Sequence, residues 1–280
     1  ILEDLNMKIL YAGSSQSSSL ILESLVASSN EVIGVISQPD KRSKRGAAIE
    51  PSYVSSVAEK NNIPVYKPQT LDENFKDTIL KLNFDILLVV AYGKILPAWL
   101  LKSPLKESIN IHYSLLPKYR GASPIQSALL NDEKVTGISV MKMTDGLDEG
   151  PVYVLHKQKI LHKDNRNTLE DKLTSLAIKN IDKDLSDIYL GKLAPIEQGS
   201  KNISYCKKIN KLSGKIALDQ EESDSVFRKY KAYYDWPGLY FEFKNLKIKI
   251  HGIDLKVKKD TNFVKNKILF RMIIYCMPKQ

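Results

Sequence analysis

Cysteine is scarce in this 280-residue chain, and its scarcity excludes two kinds of architecture. Only Cys206 and Cys276 occur, far apart and without CxxC spacing. The sequence therefore holds neither a disulfide framework nor a sulfur-rich metal site. Because reduced, unpaired cysteines are typical of a reducing compartment, we expect a cytoplasmic protein.

Long apolar runs are lacking too. The most apolar run covers residues 86–91, which is far short of the roughly 20 residues that a helix needs to cross a bilayer. The N-terminus does not show the charged, apolar and small-residue regions of a signal peptide. We therefore expect a soluble protein with no membrane partner.

The common motifs for a bound nucleotide or metal are absent as well. Gly13 follows a strand-like run, but the residues after it form neither GxGxxG nor a P-loop. The four histidines, His112, His156, His162 and His251, include no pair with the helical spacing of HExxH. We expect no dinucleotide site and no metal.

Charge is unevenly distributed along the chain. Residues 201–280 contain 18 Lys and Arg against 8 Asp and Glu, whereas the first 200 residues contain 24 of each, so the whole net charge of +10 lies in the last part. A basic segment beside a neutral one suggests contact with a polyanion, because neutralised phosphates release their counterions. A lysine-rich surface that only confers solubility is the alternative.

Strand-like and helix-like segments alternate over the first two thirds of the chain. The runs rich in Val, Ile and Tyr predict strands at residues 8–12, 31–37, 85–91, 108–112, 136–143 and 152–160. Amphipathic segments between them predict helices at residues 17–28, 51–61, 73–82 and 123–131, and a long helix follows at 168–190. This alternation indicates an α/β fold, with a mostly parallel sheet and helices on both faces.

The pattern changes after residue 190. Residues 191–204 contain Gly, Pro, Ser and Asn with little periodicity and read as a linker. A short helix at 226–234 and alternating strands at 238–243 and 246–255 predict a small, OB-like β-barrel. We therefore expect a domain over residues 7–190, the linker, and a basic barrel domain over 205–280. Residues 269–280 supply only one further apolar run, so we expect this barrel to be incomplete.

Three side chains with acyl-transfer chemistry stand out. Asn110 and His112 are two residues apart at the end of a predicted strand, which places both on one face of it. Ligands of parallel sheets bind at such strand ends. Asp148 lies in a Gly-Leu-Asp-Glu-Gly loop further on. Taken singly, these residues can also be a polar strand end and an ordinary turn aspartate.

The same region resembles the folate-dependent formyltransferases, and within them the branch that acts on methionyl-tRNA. The similarity extends over residues 7–260. It rests on NIHYSLLPKYRG from Asn110, GLDEGPV from Gly146, the segment from Gln38 to Ser52, VAYG with ILP from Val90, and Tyr205 to Leu218 with Trp236 and Pro237.

The resemblance implies that a Rossmann-like domain transfers the formyl group of 10-formyltetrahydrofolate to the α-amino group of initiator methionyl-tRNA, in support of translation initiation. It implies catalytic roles for Asn110, His112 and Asp148, and no metal. It further implies roles for two loops, with folate at Ser114, Leu115, Leu116, Pro117 and Gly121, and tRNA at Arg42, Lys44 and Arg45. We expect a monomer.

Three other functions remain open from the residues. A glycinamide ribonucleotide formyltransferase would share the amide, imidazole and carboxylate, but would be a shorter chain without a basic second domain. A sugar-nucleotide formyltransferase would also share them and would not require tRNA. A non-enzymatic RNA-binding protein would use the basic barrel alone, but would leave Asn110, His112 and Asp148 without a role.

Overall fold

A computed structural model describes residues 6–42, 48–244, 246–257 and 268–274 of the chain. Its strands are β1 (Lys8–Gly13), β2 (Glu31–Ile36), β3 (Lys41–Arg42), β4 (Ile49–Glu50), β5 (Val65–Tyr66), β6 (Ile86–Val90), β7 (Glu107–His112), β8 (Arg120–Gly121), β9 (Val135–Lys142), β10 (Val152–Lys159), β11 (Tyr205–Cys206), β12 (Leu239–Phe243), β13 (Leu246–Val257) and β14 (Ile268–Ile274). Its α-helices are α1 (Gln16–Val26), α2 (Tyr53–Lys60), α3 (Glu73–Leu80), α4 (Ala98–Leu101), α5 (Pro124–Leu130), α6 (Arg166–Tyr189) and α7 (Ser223–Ala232), and a 3-10 helix covers Lys211–Gly214.

The long predicted elements are all confirmed. The six strands and five helices expected before residue 190 are present, and each end lies within two residues of its prediction. The helix and two strands expected in the basic segment are also present, as α7, β12 and β13. The sequence did not reveal β3, β4, β5, β8, β11 or α4, because two to four residues are too few to show a period.

A mostly parallel sheet forms the centre of the fold, as predicted. Its seven strands have the order β10-β9-β7-β6-β1-β2-β5. The pairs from β5 to β7 are all parallel, and β7 pairs antiparallel with β9. Strand β6 lies between β1 and β7, and all five of its residues are buried, which explains its continuous rather than alternating apolar sequence.

Helices cover both faces of this sheet, which the contacts of β1 demonstrate. Tyr11 Oη donates to the carbonyl oxygen of Ser18, so Tyr11 faces α1. Leu10 and Ala12 belong instead to an apolar cluster that includes Ile79 of α3 and Leu100 of α4. Since successive residues of a strand point to opposite faces, α1 and the α3–α4 pair cover opposite sides.

Helix α6 buries one face through the spacing that the sequence showed. Its residues Leu173, Ala177, Ile181 and Leu185 recur every four positions and are all buried. Across this face, Tyr113 Oη lies 3.0 Å from Thr174 Oγ1, which joins the helix to the chain directly after β7. The carboxyl end of β7 is therefore anchored against α6.

The chain divides into two compact units. Unit 1 takes the described part of Ile1–Arg120 together with Thr136–Gln158 and Asp171–Tyr205. Unit 2 takes Gly121–Val135, Lys159–Glu170 and the described part of Cys206–Gln280. Within unit 2, α5 packs on α7, and β12, β13 and β14 form an antiparallel sheet. The domain boundaries expected from the sequence remain a prediction.

No helix in the described part of the chain is both long and apolar enough to span a bilayer.

Candidate active site

Strand β7 presents Asn110 and His112 at its carboxyl end. The imidazole is buried and the amide is partly exposed. Asn110 pairs with Val89 of β6 on one side and with Met141 of β9 on the other. Strands on both sides therefore fix the backbone that carries the two side chains, and their spacing of two residues places them on the same face, as predicted.

A backbone carbonyl fixes the proton position on His112. The Nε2 atom lies 2.9 Å from the carbonyl oxygen of Tyr119. Since a carbonyl oxygen can only accept, Nε2 carries the proton and donates. In the neutral ring, Nδ1 is then an unprotonated acceptor, and it becomes a donor only when the imidazole is charged.

Asp148 faces both side chains from a loop 36 residues beyond His112 in the sequence. Its Oδ2 lies 3.6 Å from His112 Nδ1, and its Oδ1 lies 3.5 Å from Asn110 Nδ2. The side chain of Asp148 is 17% exposed, against 7% for His112. The structure therefore brings the three predicted side chains together, with a carboxylate at the rim of a largely buried imidazole.

The loop that carries Asp148 is held in a costly backbone conformation. Asp148 has a φ of +51°, which L-residues rarely adopt and which costs about 1–3 kcal/mol. Gly150 packs so closely on β9 that a Cβ would lie 1.9 Å from the carbonyl oxygen of Lys142. Lys142 N–H donates to Pro151 O at 2.9 Å. The end of β9 thus fixes the end of the loop, and only glycine fits at that contact.

A polar cluster behind the loop was not predicted from the sequence. Buried Arg120 donates to Oε1 of Gln198 from Nε at 3.0 Å and from Nη2 at 2.9 Å. Its Nη1 lies 3.2 Å from Glu149 Oε1 and 3.1 Å from Tyr205 Oη, and Tyr205 Oη donates to Glu149 at 2.6 Å. Arg120, Glu149 and Tyr205 lie in segments that carry the family resemblance, whereas Gln198 showed no signal in the sequence.

Comparison with known proteins identifies the family. The family model described as "Formyl transferase" matches residues 6–182. A methionyl-tRNA formyltransferase from a Nitratiruptor species is 41% identical over 266 residues, which cover 94% of this chain and 84% of that protein. A methionyl-tRNA formyltransferase from a Sulfurihydrogenibium species is 38% identical over 253 residues, which cover 90% and 80%. The chain belongs to the formyltransferase family.

Two solved structures share the fold of this family member. The N-formyltransferase from Helicobacter canadensis, in complex with folinic acid and dTDP-3-aminofucose, superposes with a TM-score of 0.68 at 20% identity, covering 90% of this chain and 89% of that one. HypX from Aquifex aeolicus, in complex with tetrahydrofolic acid, gives a TM-score of 0.63 at 14% identity and covers 92% of this chain and 40% of that one. At these identities the likeness shows a common fold.

The predicted folate loop of this formyltransferase is internally braced. Ser114 Oγ is buried and donates to Lys118 O at 2.6 Å. Ser139 Oγ donates to Ser114 O at 2.6 Å and accepts from Leu116 N–H at 3.0 Å. Leu116 is buried, and Leu115 and Pro117 are partly exposed. The Ser114 hydroxyl therefore shapes this loop, and the folate contacts of Ser114, Leu115, Leu116, Pro117 and Gly121 remain a prediction.

The predicted tRNA loop is described at its ends. Lys41–Arg42 and Ile49–Glu50 form the short antiparallel pair of β3 and β4. Arg42 thus ends β3, while Lys44 and Arg45 lie outside the described residues. The role expected of the three basic side chains remains a prediction.

His156 and His162 have structural partners within their units. His156 Nε2 lies 2.7 Å from Asp184 Oδ2 on α6, and burial raises the pKa of that carboxyl, an effect that His156 opposes. His162 stacks on Phe227 with 5.5 Å between the ring centroids. Among the residues that the structure describes, no three His, Cys, Asp or Glu side chains form a group that could hold a metal ion.

Unit 2 contains a cavity of about 310 Å³ whose lining includes four tyrosines, two lysines and Asp235. Lys247, Lys249 and His251 alternate along β13 on one face, and all three are exposed. Lys247 Nζ lies 3.5 Å from the centroid of the Tyr240 ring. Tyr230, Tyr233 and Tyr234 of the α7 region line the same cavity. Aromatic faces beside exposed ammonium groups suit a nucleotide.

The hydrogen bond to Tyr119 predicts the tautomer of His112. In the neutral imidazole we expect the proton on Nε2, and ¹⁵N NMR of histidine-labelled protein above the titration range should show a protonated Nε2 and an unprotonated Nδ1. A neutral His112 protonated on Nδ1 would contradict the assigned geometry.

Proposed function

We propose that this chain transfers the formyl group of 10-formyltetrahydrofolate to the α-amino group of initiator methionyl-tRNA. The observation that carries the proposal is the meeting of Asn110, His112 and Asp148 at the end of β7. An amide donor, an imidazole and a carboxylate fit the needs of formyl transfer to an amine. The relatives named methionyl-tRNA formyltransferase, which this chain resembles over most of its length, favour methionyl-tRNA as the acceptor.

Two of these side chains suit the developing oxyanion. Attack by an amine on a formyl carbon places negative charge on the formyl oxygen, and donors aimed at it stabilise the transition state. Asn110 Nδ2 supplies one N–H. Because Tyr119 O occupies Nε2 of His112, the ring can supply a second donor only as an imidazolium, from Nδ1. The carboxylate of Asp148 lies beside that nitrogen, with its Oδ2 at 3.6 Å.

Asp148 suits the proton transfer. The attacking amine must be neutral and must lose a proton as the new C–N bond forms, and a carboxylate within reach can accept it directly or through a water. An aminoacyl ester withdraws electrons, so its amine titrates below the roughly 8 of a free α-amino group. A weak base such as a carboxylate is therefore sufficient. The proton finally replaces the formyl group on the departing folate nitrogen.

The folate supplies the activated one-carbon group, and the protein supplies its position. We assign that task to the braced loop from Ser114 to Gly121, which begins two residues after His112 and includes Tyr119, the partner of its imidazole. Folate-type ligands are bound by two proteins of the same fold, the H. canadensis N-formyltransferase and A. aeolicus HypX. A rigid loop at this position can hold the formyl carbon beside the three side chains.

We assign the tRNA to unit 2 and to the loop with Arg42, Lys44 and Arg45. The basic excess of residues 201–280 and the tyrosine-lined cavity of unit 2 support this assignment. We further propose that β12, β13 and β14 belong to a small OB-like barrel, a fold whose faces bind oligonucleotides. A monomeric, cytoplasmic enzyme remains the expectation.

The acceptor and the catalytic set can be tested together. We expect labelled formyl to pass from 10-formyltetrahydrofolate to methionyl-tRNA, and not to glycinamide ribonucleotide or an amino sugar nucleotide. His112→Ala should lower kcat by roughly 10²- to 10³-fold through loss of one oxyanion donor. Asp148→Ala should lower it by roughly 10²- to 10⁴-fold through loss of the base.

Asp145→Ala is the matched control, since Asp145 is an exposed carboxylate in the same loop. It should keep the wild-type rate. Equal rates for wild type, His112→Ala and Asp148→Ala would refute the assigned site. A preference for the amino sugar nucleotide would replace the proposed acceptor with the sugar-nucleotide alternative.

The cavity of unit 2 gives a second test, based on salt. If Lys247 and Lys249 neutralise tRNA phosphates, the double variant Lys247→Ala/Lys249→Ala should weaken binding of the whole tRNA and reduce the slope of log K against log salt by about 1.5. Lys60→Ala/Lys81→Ala removes the same charge from exposed positions of unit 1 and should leave the slope near the wild-type value. Equal slopes for both double variants would exclude β13 from the tRNA site.

A further inference from the structure

We infer that Gln198 is a positioning residue, which holds the Asp148 loop in the conformation that formyl transfer needs. The inference rests on the proposed function, because it assigns Asp148 a catalytic role. Gln198 lies in the segment 191–204, whose composition predicted only a linker. Its side chain is half-buried against the loop.

The amide of Gln198 connects the loop to Arg120 through four hydrogen bonds. Its Nε2 donates to the carbonyl oxygen of Asp148 at 2.8 Å and to that of Gly150 at 2.7 Å. Its Oε1 accepts from Nε and Nη2 of Arg120. Two N–H groups and two lone pairs are the full capacity of a primary amide, so every polar group of this side chain is used.

These partners also fix which way the amide points. Arg120 can only donate, and the two loop carbonyls can only accept, so exchanging the amide oxygen and nitrogen would break all four bonds. No other side chain of similar length offers two donors and two acceptor sites in one plane. A glutamate would keep the acceptor for Arg120 but would turn an oxygen toward the two carbonyls.

The backbone around Gln198 is itself anchored. Ile196 and Val152 exchange hydrogen bonds, from Val152 N–H to Ile196 O at 2.8 Å and from Ile196 N–H to Val152 O at 2.9 Å. Arg120, on the other side, is held by Glu149 and Tyr205. The amide nitrogen of Gln198, which donates to the loop, is therefore held in place on both sides before any substrate binds.

The Asp148 loop needs hydrogen bonds of this kind to hold its conformation. Asp148 has a positive φ, and its neighbour Leu147 is 55% exposed, so little apolar packing holds the tip of the loop. Gln198 donates to the carbonyl oxygens of Asp148 and Gly150, and these two residues flank Glu149, the residue after Asp148. Because a shift of about 1 Å in a catalytic group can cost roughly 10²-fold in rate, these two hydrogen bonds matter directly for catalysis.

The decisive variant is Gln198→Glu in the full-length protein. It retains the bonds from Arg120, loses both donors to the loop and adds repulsion against two carbonyl oxygens. We expect kcat for methionyl-tRNA to fall by about 10²-fold, while KM for the folate changes by less than about threefold, since this variant keeps the bonds from Arg120 of the predicted folate loop. Gln69→Glu, which adds the same charge at an exposed glutamine, should match the wild type.

A second comparison separates positioning from general damage to the structure. In an Asp148→Ala background, Gln198→Glu should cause no further loss of kcat, because the group that it positions is already absent. In the otherwise wild-type protein, Gln198→Met carries no charge and cannot donate to the loop, so it should also lower kcat. Thermal unfolding of all variants checks that they fold.

The outcomes distinguish the positioning role of Gln198 from the proposed function. A large effect of Asp148→Ala together with wild-type kcat in Gln198→Glu would overturn the positioning role and leave the proposed function intact. A further multiplicative loss in the Asp148→Ala background would also overturn it. Wild-type activity in Asp148→Ala itself would refute the proposed site, whatever Gln198→Glu does.

Discussion

The chemistry available at this site depends on one hydrogen bond, from His112 Nε2 to the carbonyl oxygen of Tyr119. It commits one ring nitrogen to the protein and leaves the other facing Asp148. The imidazole can therefore act on a substrate only through Nδ1, either as an acceptor when neutral or as a donor when charged. Since that nitrogen faces the carboxylate, we propose that His112 and Asp148 act as a pair rather than as two independent groups.

One segment of chain binds two loops and so holds His112 and Asp148 in place. Residues 196–205 bind the Asp148 loop through Ile196 and Gln198. They bind the loop after His112 through Ser204, whose Oγ accepts from Tyr119 N–H and whose carbonyl accepts from Arg120 N–H. The two loops are therefore held by the same segment, and the proposed electrostatic catalysis would require such preorganisation.

The sequence predicted the features that follow a period or a buried run. Strand β6 was evident from its apolar residues, and β7 placed Asn110 and His112 on one face because strands alternate. The approach of Asp148 to them depends on a loop with a positive φ, which no period encodes, and only the family resemblance indicated it. Gln198 was missed because its role depends on carbonyl groups 48 and 50 residues away, which carry no side-chain signature. The composition of residues 191–204 gave no indication of these contacts.

We propose that the amide, the imidazole and the carboxylate surround a single reacting carbon. A crystal structure of the protein with bound 5-formyltetrahydrofolate, a stable formyl-folate, tests it most directly. We expect the formyl oxygen within about 3 Å of Asn110 Nδ2 or His112 Nδ1, with Asp148 on the open side of the carbon. A formyl group bound in contact with none of the three side chains would contradict it.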